Sequence, residues 1–237
     1  MQNIFKDGLT LAFSNRRDGN MSFNCGNTKK SLNNRRLFLS RIGIKYQDLI
    51  CAKQIHSTNV FSVTKKDKGS GALAYESAIS DTDALVTNKK NLPLGIHTAD
   101  CLSIFIYDSD KKAVGIVHAG WHSTKEKIIV KTIHKMQNEF NSSLKDLFFL
   151  FGPAIRSCCY KVGESFSSIF SQSVIKRGND YYFDLIKENH SQILSLGVTE
   201  KDIFDSGICT SCQNKDYFSY RKEGNSCGRI LSVIILR

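Results

Sequence analysis

Short apolar runs recur along the 237-residue chain, separated by polar, basic or glycine-bearing stretches. GLTLAF (8–13) predicts a strand. DLICAKQIH (48–56) and NVFSVT (59–64) predict two strands that meet near His56. LPLGIHTAD (92–100), LSIFIYD (102–108) and AVGIVH (113–118) are compact Ile/Val-bearing runs between turn signals, hence three more strands. LFFLFGPAI (147–155) predicts a buried strand and RILSVIIL (229–236) a closing one.

Helical periodicity appears elsewhere. SLNNRRLFLSRIG (31–43) predicts a helix stopped by Gly43. After Trp121, Ser123 and Glu126 match a capping box, and Ile129, Ile133, Met136 and Phe140 follow at spacings of three and four, an amphipathic stripe. FDLIKENHSQILSLG (183–197) predicts a helix ending at Gly197. Strands and helices are interspersed, yet several strands follow one another through short turns. The expectation is an α+β fold: one layered domain over residues 1–237, with mixed β-sheets flanked by helices. No repeat, low-complexity segment or linker interrupts it, and the two prolines are Pro93 and Pro153.

Composition narrows the class. Hydrophobic residues make up 41% and charged residues 23%, enough for a packed core and against wholesale disorder. No window approaches the roughly 18 consecutive apolar residues of a membrane helix. The opening MQNIFKDGLTLAFSNRR carries no charged stretch followed by an apolar core, so no secretion signal is read and a cytoplasmic location is expected. With that location, the eight cysteines are expected as free thiols or metal ligands rather than disulfides. The formal net charge is +11, but the basic residues come as scattered pairs with no nucleic-acid-binding pattern beside them. The expected partner is an anionic small molecule, with neither nucleic acid nor membrane.

Cys101 stands just before one apolar run and His118 at the end of the next, with His56 between two earlier ones. Each alone reads as a core or structural residue. Together they make a His₂Cys set. Zn²⁺ takes Cys sulfur and His nitrogen, and a catalytic zinc site uses three protein ligands and an open fourth position. A nucleophile pair, Cys101 with His118 as its base, uses the same residues. Ala119 and Gly120 after His118 are small enough for a ligand or another backbone to approach closely. His97 reads as structural or surface, and His134 and His190 as surface positions of helices. His122 stands close enough in sequence to approach a cleft. Cys209 and Cys212 form a CxxC with no second pair in view, and Cys158–Cys159 reads as packing.

In order, AFSNR, SFNCG, KQIHSTNV, DTDALVTN, HTADCLSIFIYD, VGIVHAGWHSTKEKII, GPAIRSCCYKVG, FDL, GICT and YFSYRKEGNSCGR resemble the YfiH/YlmD-type laccase-domain family over nearly the whole chain. TADC and HAGW, with 17 residues from Cys101 to His118, are the most specific part. The resemblance implies a layered α+β fold with mixed sheets and a metal held by His56, Cys101 and His118, zinc with copper as the alternative. It implies phosphorolysis of adenosine, inosine and methylthioadenosine, and deamination of adenosine. Cys101, His118, Asp100 and Asp83 are then the candidate catalytic residues, the two aspartates for proton transfer or for orienting a ligand histidine. Arg16, Asn24, Arg221 and Lys222 are candidate contacts to nucleoside or phosphate. The expected assembly is a monomer or weak homo-oligomer.

The chain departs from the family pattern at three places. His122 and Ser123 follow HAGW where Arg and Gly are usual. Lys222 replaces an Arg, keeping the charge without the bidentate fork. Asp18–Gly19 stands where a glycine pair is usual. Two other activities use the same residues. A laccase-like polyphenol oxidase needs several coppers and many imidazoles, against six histidines here. A metal-free cysteine hydrolase editing peptidoglycan precursors needs Cys101 as a free nucleophile.

Overall fold

The computed structural model describes residues 8–237. In chain order the first half contains β1 (Leu9–Phe13), α1 (Thr28–Arg41), β2 (Ile50–Cys51), β3 (Val60–Ser62), β4 (Ala84–Thr87), β5 (Leu94–Thr98), β6 (Leu102–Asp108) and β7 (Ala113–Ala119). Then come α2 (Trp121–Lys125), α3 (Ile128–Phe140), β8 (Leu147–Phe151), β9 (Lys161–Val162), α4 (Phe166–Ile169), β10 (Val174–Arg177) and β11 (Asp180–Phe183). The chain closes with α5 (Leu185–Ser195), β12 (Ile203–Asp205), α6 (Tyr220–Glu223) and β13 (Ile230–Leu236). Among the described residues no helix is long and apolar enough to cross a membrane.

Three sheets form among the described residues. The largest has the order β12-β8-β6-β7-β4-β3, the second β1-β13-β5-β2, and a small one β10-β11-β9. Both larger sheets are mixed. β12 and β8 run parallel, as do β3 with β4 and β2 with β5, while the hairpin β6-β7 and the pairs β4-β7 and β1-β13 are antiparallel.

Alternation along the strands sorts the side chains into layers. Phe105 and Tyr107 of β6, Val114 and Ile116 of β7, and Leu85 of β4 meet Leu94, Ile96 and Ile234 of the second sheet. On the opposite face of the large sheet, Ile104, Ile106 and Val117 pack on Ile129, Ile133 and Met136 of α3 and Ile193 of α5. Phe38 and Leu39 of α1 cover the outer face of the second sheet at Leu231, Val233 and Ile235. The order is helix, sheet, sheet, helices. Strands buried on both faces must be apolar at nearly every position, which is why β6, β7 and β13 read as long apolar runs. Each such Ile, Val or Phe contributes about 1.5–3 kcal/mol on burial.

Local signals explain the helix ends and two differences from expectation. Asn27 caps α1 by accepting the Lys30 amide, and Gly43 takes φ 70° just past its end. Ser123 is not a helix N-cap. It lies inside α2 and its hydroxyl accepts the Gly120 amide at 3.1 Å, while Lys127 at φ 59° separates α2 from α3. The strand expected up to His56 is only Ile50–Cys51, and His56 lies in the loop that follows.

Candidate metal centre and its cavity

The β6-β7 hairpin brings two of the three candidate ligands together. Its register pairs Leu102 with Ala119 and Ser103 with His118. Cys101, immediately before β6, therefore lies beside the end of β7. His56 arrives from the loop between β2 and β3. Donor atoms of His56, Cys101 and His118 all lie within 4.8 Å of one another. The two imidazoles meet edge-on, with ring centroids 4.8 Å apart. Gly120 is required at this junction: a Cβ there would lie 2.6 Å from His56 Nδ1 and 3.2 Å from Cys101 Sγ.

Asp83 organises the cluster. It immediately precedes β4, which pairs with β7, and the His118 amide donates to its carbonyl at 2.8 Å. Its fully buried carboxylate lies 2.7 Å from His118 Nδ1. It also accepts the amides of Ile55 at 3.2 Å, His56 at 3.1 Å and Ser57 at 2.7 Å, and the Ser57 hydroxyl at 2.8 Å. One carboxylate thus fixes the His118 ring and the loop that presents His56. His56 takes φ 61°, a strained conformation for a non-glycine residue, and these amide bonds hold it there. An acceptor-only carboxylate requires the proton on Nδ1, so Nε2 of His118 is the nitrogen left for a ligand.

The electrostatics match a ligand set. Burial is the largest influence on His118 and opposes its charge, but Cys101 and Asp83 together outweigh it and raise its pKa to about 9. Burial, then the like charge of His118, lowers His56 to about 4. Burial works against ionising Asp83, yet His118 and Ser57 hold its carboxyl below the ordinary range. Two imidazoles and a thiol, one imidazole oriented by a buried carboxylate, beside a cavity, fit a transition-metal ion of the zinc or copper kind.

Asp100 lines the cavity but does not orient a ligand histidine, the second of its two expected parts. Its backbone takes φ 88° at the turn before Cys101. One carboxylate oxygen accepts the Thr210 hydroxyl and the other the Arg221 amide, both at 2.6 Å. It ties the Cys101 turn to the segment carrying Arg221 and does not touch a ligand histidine.

The three ligands line a cavity of about 800 Å³. Asn24 and Arg221 also line it. Arg221 commits one guanidinium nitrogen to the Lys161 carbonyl at 2.8 Å and lies over the Tyr160 ring. Arg16 and Lys222 do not line it. Arg16 is consumed by Glu223, at 2.6 and 3.2 Å, and by the carbonyls of Asn214 and Tyr217, stapling the N-terminal segment to the 214–223 loop. Burial disfavours the charge on Glu223, but Arg16, the Ser219 amide and Asn214 bring its pKa down to about 2. Lys222 is exposed on α6. His122 is likewise exposed, packed on the Trp121 ring.

Sequence reasoning missed several wall residues. Arg229, Tyr160, Trp121 and Thr98 line the cavity. The Thr98 hydroxyl is buried with no hydrogen-bond partner among the described residues. Arg35 lies in the wall too, but its guanidinium is spent on the carbonyls of Met21, Gly71 and Ala72 and on His97. His97 is accordingly a structural wall residue. Ser31, Arg35, Phe38 and Leu39 share one face of α1 at helical spacing, which marks Arg35 as buried. No local pattern marks the others.

The structure is a mixed-sheet α+β architecture with a His₂Cys group opening into a cavity. The chain belongs to the family described as multi-copper polyphenol oxidoreductase laccase, whose family model matches residues 12–237. It is similar to the purine nucleoside phosphorylase of Clostridium acetobutylicum, at 36% identity over 98% of this chain and 94% of that protein. The crystal structure of YlmD from Geobacillus stearothermophilus superposes with a TM-score of 0.91 at 28% identity, covering 97% of this chain and 92% of that one. An adenosine deaminase, RL5, from an unknown prokaryotic organism matches at 27% identity over 82% of this chain and 77% of its own length.

Proposed function

We propose that residues 1–237 act as one zinc-dependent purine nucleoside phosphorylase unit that also deaminates adenosine. The observation that carries this reading is the His56–Cys101–His118 group in the wall of a cavity that aromatic rings and the Arg221 and Arg229 side chains also line. The names of the relatives are consistent with it. When bound, the ion supplies Lewis acidity at the reacting centre.

The chain's own residues do the rest. The cavity volume falls in the range of about 300–1,000 Å³ that suits a small-molecule ligand. Tyr160, Trp121 and Phe23 offer ring faces to a flat purine. Arg221 and Arg229 are the anion contacts for phosphate, in place of Arg16 and Lys222. Asn24 is a hydrogen-bonding group for the nucleoside. Asp83 holds the His118 tautomer. Asp100 positions the Arg221 backbone, and both of its oxygens are already engaged.

The test is product analysis with adenosine and phosphate. Zinc-loaded protein should yield adenine and ribose 1-phosphate, and His118→Ala should yield neither. Equal turnover after chelation would overturn the reading. A second reading, the cysteine hydrolase, is favoured by one juxtaposition: the Cys101 sulfur and a His118 ring nitrogen lie within 4.8 Å, as a nucleophile lies near its base. Rapid alkylation of Cys101 in zinc-loaded protein would support it. A multicopper oxidase finds less support. His97, His122, His134 and His190 all lie outside the His-bearing cluster, which leaves two imidazoles for ligation.

A further inference from the structure

A second cluster of soft ligands lies outside the cavity. Cys158, Cys159, Cys209 and Cys212 bring all four sulfurs within 4.8 Å of one another. Cys158 Sγ lies 3.5 Å from Cys209 and 3.4 Å from Cys212, and Cys159 Sγ lies 3.3 Å from Cys212. Packing does not explain the grouping. Cys158 and Cys212 are exposed and Cys159 is half-buried, so only Cys209 gains full burial.

We propose that these four thiolates bind a structural zinc ion. Zn–S bonds of about 2.3 Å in a tetrahedron set sulfur–sulfur edges of about 3.8 Å, a few tenths of an ångström beyond these three separations, and the other three edges lie within 4.8 Å. A disulfide at about 2.05 Å would instead need more than an ångström of closure for each pair. The CxxC supplies two ligands, and the missing second pair is the adjacent Cys158–Cys159, some 50 residues earlier. The backbone already anchors both halves. Ala154 and Cys209 form a parallel bridge, the Thr210 amide donates to the Ala154 carbonyl at 3.0 Å, and the Cys159 amide to the Arg156 carbonyl at 2.8 Å. Zn²⁺ with four thiolates carries two net negative charges, and Arg156 stands beside the cluster with a direct pairing to Asp205 at 2.5 and 2.8 Å.

The position gives the ion a purpose. One half of the cluster continues into Tyr160, in the cavity wall, and the other into Thr210, which holds Asp100, and on toward Tyr220 and Arg221. A zinc here clamps two wall segments that are also joined by backbone bonds, the Arg156–Asp205 pair, and the bonds of Arg156 to the Ile208 carbonyl and Arg221 to the Lys161 carbonyl. It takes no part in chemistry, because all four positions are filled by protein.

The experiment is metal counting on the full chain, purified under reducing conditions with zinc, by native mass spectrometry. The His118→Ala variant isolates the second site. It should retain one zinc per chain, and cobalt exchanged into it should give the absorption of an all-thiolate tetrahedral site. Cys159→Ser with Cys212→Ser, in the wild-type background, should lose that cobalt signature and unfold at lower temperature. A His118→Ala protein with no zinc, or with cobalt lacking thiolate bands, overturns the proposal. So does thiol titration that finds the four cysteines paired as disulfides in the reduced preparation. If the double-serine variant does not fold, the His118→Ala measurement alone decides.

Discussion

The two sulfur-bearing clusters are built by opposite means. Cys101 and His118 sit at the ends of paired strands whose register leaves little freedom, and buried Asp83 orients His118 and the His56 loop. Cys158, Cys159, Cys209 and Cys212 sit on irregular segments at the surface, held by few backbone bonds. The first cluster mixes imidazole with thiol and faces a cavity. The second is all thiol and lies outside that cavity. A rigid framework keeps an incomplete ligand set incomplete, which leaves room for substrate. A loose framework can close all four ligands around an ion and then depends on that ion for its rigidity.

The sharpest break in this comparison is His118→Ala. It should abolish zinc binding in the cavity and phosphorolysis while leaving the thiol cluster's metal in place, read by metal content and product analysis. Loss of both metals together would overturn the thiol site. Asp83→Asn should lower zinc affinity or turnover by about 10–100-fold, because the His118 ring and the His56 loop lose their common acceptor. Competition with a chelator measures it, and an unchanged affinity would remove Asp83 from its organising role.

Gly120→Ala should cost about 1–3 kcal/mol of stability through the forced contact with His56 and Cys101, and should weaken zinc binding as well, read by thermal melting and chelator competition. Zinc affinity at the cavity site should also rise with pH from about 7 toward about 9. His118, raised to about 9 without metal, must give up a proton to bind one. Calorimetry in buffers of different ionisation enthalpy reads the released proton. In the metal-free protein the signs oppose. His118 stabilises the fold below its unfolded pKa of 6.5 and loses that contribution as pH rises through about 9, while His56 withdraws stability as pH falls from 6.5 through about 4. The smallest effect is a contrast on one short helix: Arg221→Ala should raise the KM for phosphate, and Lys222→Ala should leave it unchanged.

How much was legible depended on how local the cause was. β6, β7 and β13 were readable because burial on both faces forces a long apolar run. α3 was readable from its apolar stripe, which packs on the large sheet. The short pieces β9, β11 and β12 passed unnoticed, because two to four residues carry no period. Arg16 looked like an anion contact because a sequence shows a cation but not the carboxylate that consumes it. The four-thiol group was invisible for a related reason: the CxxC shows two ligands, and the other two lie some 50 residues away in a segment that packing alone would explain.

By itself the sequence determined the apolar runs and the α+β class, which follow from residue type and nearby spacing, while it singled out His56, Cys101 and His118 as one ligand set only through the family resemblance. Only the tertiary structure decided that Asp83 rather than Asp100 orients His118, that Arg229 lines the cavity while Arg16 and Lys222 do not, and that four distant cysteines meet. These are facts of long-range pairing. Strand register and loop closure choose which side chains become neighbours, and no property of a single segment encodes that choice.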